Sequence, residues 1–115
     1  MNININKVKI VVMVPRKNTQ EVRDAICNAG AGTITGSNYS YCTSYVKSLG
    51  TFIPNNDANP YIGKANKLEI VKEDRLEVLC ESNKVKNVIS RLREVHPYEE
   101  PAIDIIPLLD EEYFE

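Results

Sequence analysis

The sequence predicts an α+β fold: a ferredoxin-like β-α-β-β-α-β sandwich, one antiparallel sheet with two helices on one face. Three observations point there. Stretches rich in β-branched residues alternate with a period of two. Two other stretches carry apolar residues at helical spacing, and the two kinds follow one another in the order of that plan. The chain has 115 residues, a mass of 13.0 kDa and 43% hydrophobic residues, which is enough for one core of ordinary size. Two helices cover only one face of a four-stranded sheet, so the other face must be solvated, ligand-covered or buried in an oligomer.

The elements follow in order. Residues 7–15, KVKIVVMVP, place Val8, Ile10, Val12 and Val14 on one parity and read as a strand that Pro15 ends. Asn18 stands three residues before Glu21, a capping-box-like helix start. Val22, Ala25, Ile26 and Ala29 then form an apolar helical face, and Gly30 is a left-handed stop. Residues 32–50 read as a second strand, with Tyr39, Tyr41, Thr43 and Tyr45 on one parity, and Gly50-Thr51-Phe52-Ile53 as a short returning strand. Residues 54–65, PNNDANPYIGKA, are turn chemistry throughout, and a loop of that length in so small a domain is functional or packed at an interface. Residues 66–80 read as one long bent strand or two short ones, interrupted at Lys72-Glu73-Asp74. Asn83 is placed to cap a second helix whose face is Val85, Val88, Ile89, Leu92 and Val95, and Pro97 stops it. Residues 102–107 form a last strand. The acidic end, 109–115, reads as a short helix or a loose tail beyond a core of about 7–108.

Composition narrows the function. Lys and Arg total 14 against 16 Asp and Glu, a net charge of −2 and a pI near 5.5, which weighs against a nucleic-acid binder. No apolar run approaches the roughly 18–20 residues of a membrane span. No signal-peptide pattern opens the chain, and three spaced cysteines without a CxxC suit a reducing compartment, so a cytoplasmic location is expected. Gly30, Gly32 and Gly36 follow a helix and open a strand, the wrong context for a dinucleotide fingerprint, and they read as a helix stop and turn. Cys27 and Cys80 read as core residues.

His96-Pro97-Tyr98-Glu99-Glu100-Pro101 is the sharpest local signal, holding the only histidine, two carboxylates and a phenol. A histidine there can ligate metal or move a proton. The same residues also make a rigid bridge between helix and strand, with two prolines and a tyrosine that can bury its ring and hydrogen-bond its hydroxyl. Adjacent carboxylates in extended chain point to opposite faces, so an acid–base pair from Glu99 and Glu100 ranks low, and no catalytic residue is assigned.

These residues carry a resemblance. His96-Pro97-Tyr98-Glu99-Glu100-Pro101-Ala102-Ile103-Asp104 with Pro107-Leu108, Gly50-Thr51-Phe52 with Pro54, Ala58-Asn59-Pro60-Tyr61-Ile62-Gly63 and Asn38-Tyr39-Ser40-Tyr41-Cys42 stand in register over most of the chain. Together they resemble the PII/CutA-like domain inserted in proteins of the NGG-interacting-factor-three-like, YqfO-type family. The His-Pro-Tyr-Glu piece is also similar to one in CutA, a trimeric ferredoxin-like protein linked to divalent-cation tolerance. The stretch 33–37 is longer than the family's pattern. The larger family's dinuclear metal centre lies in flanking domains with no counterpart in these residues, so the resemblance carries over no hydrolase activity.

The resemblance implies a homotrimer and a non-enzymatic module that binds a small ligand, a metal ion or a protein partner. The candidate ligand-binding residues are Tyr39, Cys42, His96, Tyr98, Glu99 and Glu100. The alternative is a divalent metal site built from His96, Glu99, Glu100 and Cys42, whose mixed donors suit a transition metal. A partner module using 54–65 or the acidic end is a further expectation.

Overall fold

The computed structural model describes residues 3–115. The chain runs β1 (Lys7–Pro15), α1 (Thr19–Asn28), β2 (Thr43–Phe52), β3 (Glu69–Glu81), α2 (Val85–Val95) and β4 (Ile103–Leu108). The sheet order is β2-β3-β1-β4, and every neighbouring pair is antiparallel. This is the ferredoxin-like plan the sequence predicts. Both helices lie on one face, and the core forms between them and the even-numbered residues of the central strands. Ile10, Val12 and Val14 of β1 meet Leu76, Val78 and Cys80 of β3, with Val22 and Ile26 of α1 and Val88 and Leu92 of α2 above them. Helical and two-residue periodicities placed these residues correctly, because each element is amphipathic in its own period.

Strand β3 is single and continuous, and its burial changes face partway along. From Asp74 to Cys80 the buried side faces the helices, whereas Val71 and Glu73 are buried on the opposite, helix-free side. The register with β1 and β2 runs through this point without a bulge. The change therefore comes from what covers the strand: helices over one half, loops over the other. Leu68 and Ile70, which continue the apolar alternation in sequence, are exposed.

Three local expectations are corrected. Residues 50–53 do not return as a separate strand: β2 pairs with β3 without a break from Thr43↔Val78 to Phe52↔Glu69. Gly50 is an in-line residue of β2, and the reversal is made by 54–65. Tyr39 and Tyr41 precede β2 rather than belonging to it, and Tyr41 takes a positive φ of 56°. Neither Asn18 nor Asn83 makes a side-chain cap. Each α-helix is entered through a 3-10 turn, Arg16–Asn18 or Ser82–Lys84, whose backbone carbonyls at Arg16 and Ser82 already accept the first helical N–H groups.

The C-terminal stop of α1 is as expected. Gly30 has φ 121°, its N–H bonds to the Cys27 carbonyl, and the Ala31 N–H bonds to Ile26, a Schellman closure. The acidic end forms a 3-10 turn, Glu111–Tyr113, held against the start of the chain. Asp110 accepts from Asn6 and pairs with Lys7 at 3.2 Å, which in that order hold its carboxyl below the usual range, and the Tyr113 hydroxyl meets Asn4. Among the described residues, no helix is long and apolar enough to cross a membrane.

Candidate functional site

A cavity of about 340 Å³ opens on the helix-free face of the sheet, at the end where β3 buries its odd-numbered side. Its floor is Met13 of β1, Gly50 and Phe52 of β2 and Glu73 of β3, and the register places all four on that face. Its walls come from the loop after β2, through Ile53, Pro54, Ala58, Pro60, Tyr61 and Ile62, and from the segment after α2, through Tyr98, Glu99, Glu100 and Ala102. The lining is mostly apolar and aromatic with a few convergent polar groups, the usual make-up of a small-molecule site.

Glu73 is the centre of it. The residue is only 5% exposed. Its Oε2 accepts a 2.8 Å hydrogen bond from the Tyr98 hydroxyl. Its Oε1 lies over Gly50, where a built Cβ would overlap it, so any side chain at 50 would displace the carboxylate. The neighbouring Asp74 points the other way, as strand geometry requires. It accepts from Thr19 Oγ1 at 2.6 Å and stands 3.9 Å from Arg16 Nε. Arg16 also donates to the Glu73 and Ser48 carbonyls, fastening the β1–α1 junction across β3 and β2 beneath the cavity.

His96 and Tyr98 are set by the end of α2. His96 leaves the helix in an extended conformation, with its N–H still bonded to the Leu92 carbonyl. It is buried, and both ring nitrogens are engaged: Nε2 lies 2.8 Å from the Met13 carbonyl and Nδ1 accepts from the Tyr98 N–H at 3.1 Å. The carbonyl requires an Nε2–H donor, so the ring is the neutral Nε2–H tautomer. Burial pushes its pKa down, against smaller raising effects from the Met13 carbonyl and Glu73. Burial, and then the Glu73 carboxylate, holds the Tyr98 phenol well above its ordinary value, so it remains a donor. Tyr98 stacks at tilted geometry with His96 (4.9 Å), Phe52 (6.3 Å) and Tyr61 (6.3 Å). Lys17 stands over the Tyr61 ring at 5.4 Å.

The expected site residues are thus divided. Tyr98, Glu99 and Glu100 line the cavity, and His96 supports it from behind. Glu99 is exposed at the mouth, and its Oε1 accepts from the Asn59 N–H at 3.0 Å, tying the two walls together. Tyr39 is exposed before β2, and Cys42 lies beside Gly32 and Cys27 at the far end of that strand. Among the described residues, no three His, Cys, Asp or Glu side chains are grouped to hold a metal ion, so one chain does not assemble His96, Glu99, Glu100 and Cys42 into a centre. Cys27 and Cys80 are buried, and burial raises both thiols. The sequence does not mark Glu73, Gly50 or Met13 as site residues. The one available signal was two adjacent acids breaking an apolar strand pattern.

No family model matches the chain. It is 46% identical over 103 residues to the GTP cyclohydrolase 1 type 2 homolog of Halalkalibacterium halodurans, covering 90% of this chain and 27% of that protein. The chain therefore spans about a quarter of the length of the curated relatives it matches. Among solved structures, a Bacillus cereus protein related to NIF3 superposes with a TM-score of 0.78 at 37% identity, over 95% of this chain and 27% of that one. The CutA divalent cation tolerance protein of Archaeoglobus fulgidus superposes with a TM-score of 0.66 at 17% identity, over 93% of this chain and 90% of that one, a likeness of fold.

Proposed function

We propose, on the premise that this chain is homologous to the CutA-like domain of NIF3-related proteins, that it is a non-enzymatic, oligomeric binding module that takes a small ligand on the helix-free face of its sheet. The observation that carries this reading is the cavity of about 340 Å³ with a buried carboxylate in its floor. Structural positions rarely keep a buried carboxylate beside open space, because its desolvation is costly unless a partner completes it. The walls are two loops, the part of the molecule that tolerates specialisation most easily.

Oligomerisation rests on a second feature. The β2–β3 hairpin carries exposed Tyr45, Val46, Leu49, Leu68 and Ile70 on its two faces, and β2 is a ten-residue edge strand. An apolar edge of that length is an association surface unless something covers it. A homotrimer in the cytoplasm is the assembly we propose, in keeping with the CutA-like architecture. Native mass spectrometry of protein purified without added metal or nucleotide tests both parts. The expected result is a mass near three times 13.0 kDa, with additional mass released on unfolding. A bare monomer that shows no small-molecule binding would overturn the reading.

A further inference from the structure

The chemistry lining the cavity identifies the class of ligand, given that the cavity is a small-ligand site as proposed above. Glu73 is its only buried charged group, and the described residues give its carboxylate no cation. Arg16 is turned to backbone carbonyls and Asp74, and Lys17 is placed over the outer wall ring of Tyr61. Tyr98 occupies Oε2 with a neutral hydroxyl, which leaves Oε1 without a donor among the described residues. Gly50 holds the carboxylate in that place by having no side chain. Around it stand the rings of Phe52, Tyr61 and Tyr98, and two further acids, Glu99 and Glu100, flank the mouth.

A buried acid with an open acceptor oxygen, inside aromatic walls, is complementary to an organic cation and repels an anion. The open oxygen calls for an N–H donor, which favours a primary or secondary ammonium over a quaternary one. The volume is at the small end of ligand sites and fits a cation with one ring or a short apolar body. We infer that the cavity binds a small organic ammonium compound, with Glu73 as the counter-ion and the Phe52, Tyr61 and Tyr98 rings as the seat for its apolar part.

The test uses three probes of similar size, each a phenyl ring with one polar head, that differ in charge: benzylamine, benzyl alcohol and benzoate. Each is titrated into the isotope-labelled full chain near neutral pH, with backbone amide shifts as the readout. Benzylamine is expected to move the amides of Gly50, Tyr61 and Tyr98 saturably and to bind about tenfold or more tighter than benzyl alcohol. Benzoate is expected to leave them unmoved. Glu73→Gln should erase the preference for the amine, while Glu94→Gln, which removes an equal charge from α2 away from the cavity, should preserve it. If Glu73→Gln does not fold, the wild-type ranking of the three probes still decides. Equal or tighter binding of the alcohol or of benzoate at these amides overturns the cation inference and leaves the small-ligand reading standing. If none of the three moves the cavity amides, the ammonium inference falls, and the small-ligand reading is then decided by the native mass measurement.

Discussion

At Gly50 a single methyl group would collide with the Glu73 carboxylate, which then has to leave the Tyr98 hydroxyl. Gly50→Ala is expected to lower stability by about 1–3 kcal/mol, the usual cost of parting a buried acceptor from its donor. The cost should largely vanish in a Glu73→Ala background, so chemical denaturation of the four variants forms a cycle with strong coupling. Additive effects would mean that the two residues do not share the space. His96 invites a different measurement. Its ring bonds the Met13 carbonyl and the Tyr98 amide, and His96→Ala leaves both unmatched, at about 1–3 kcal/mol for each buried group orphaned. Its folded-state pKa is depressed by burial, so the unfolded chain takes up the proton first. The histidine's contribution is fully present above the ordinary imidazole range near 6.5 and is lost as pH falls through the lower folded value. Melting temperature should therefore begin to fall below about pH 6.5, before the carboxylates respond, and His96→Gln should flatten that first decline. Glu77, Glu81 and Asp110, also lowered, lose their contribution only at more acid pH. An unchanged profile in His96→Gln would show that the acid response lies elsewhere. In the sequence, His96 and Tyr98 stand out because the one histidine sits with a phenol, two carboxylates and two prolines. Glu73 does not, because a glutamate in a strand gives no sign of which face it takes.

Strand β3 shows how one element serves two environments. Its helix-facing half contributes Leu76, Val78 and Cys80 to the core, and its other half turns Val71 and Glu73 toward the loops. Alternation alone predicts the pleat but not the cover on each face, which is why Leu68 and Ile70 continue the apolar alternation and yet are exposed in the fold. The difference is measurable. Leu76→Ala is expected to cost about 2–5 kcal/mol, as for a fully buried leucine. Ile70→Thr should change the stability of the isolated chain by no more than about 0.5 kcal/mol. A large loss for Ile70→Thr that depends on protein concentration would place the hairpin in an interface, and a large loss independent of concentration would show that Ile70 is covered within one chain. The helix starts teach a related lesson. Asn18 and Asn83 stand where caps are expected, yet 3-10 turns supply the first acceptors from the backbone, and the Asn18 Oδ1 is left buried without a hydrogen-bond partner among the described residues.

Across the molecule, the apolar hairpin and the open sheet face lead to one expectation: light scattering should report a mass near three times 13.0 kDa, and Ile70→Lys should lower it while leaving the far-ultraviolet circular dichroism unchanged. A wild-type monomer at high concentration would remove the basis for assembly through the hairpin. The order of elements, the helix-side core and the α1 stop at Gly30 could all be read from the chain, because each rests on local periodicity or on the torsion of one residue. Four separated motifs also carry the resemblance to the relatives found. What the tertiary structure alone decided is the site: that the loop after β2 and the segment after α2 meet over one half of β3, that Gly50 and Glu73 share a face, and that His96 is tied to backbone on both sides while Cys42 lies apart. Strand pairing brings these residues together from positions far apart in sequence, and the register of that pairing, which settles the face each side chain takes, is a property of the sheet rather than of any one segment.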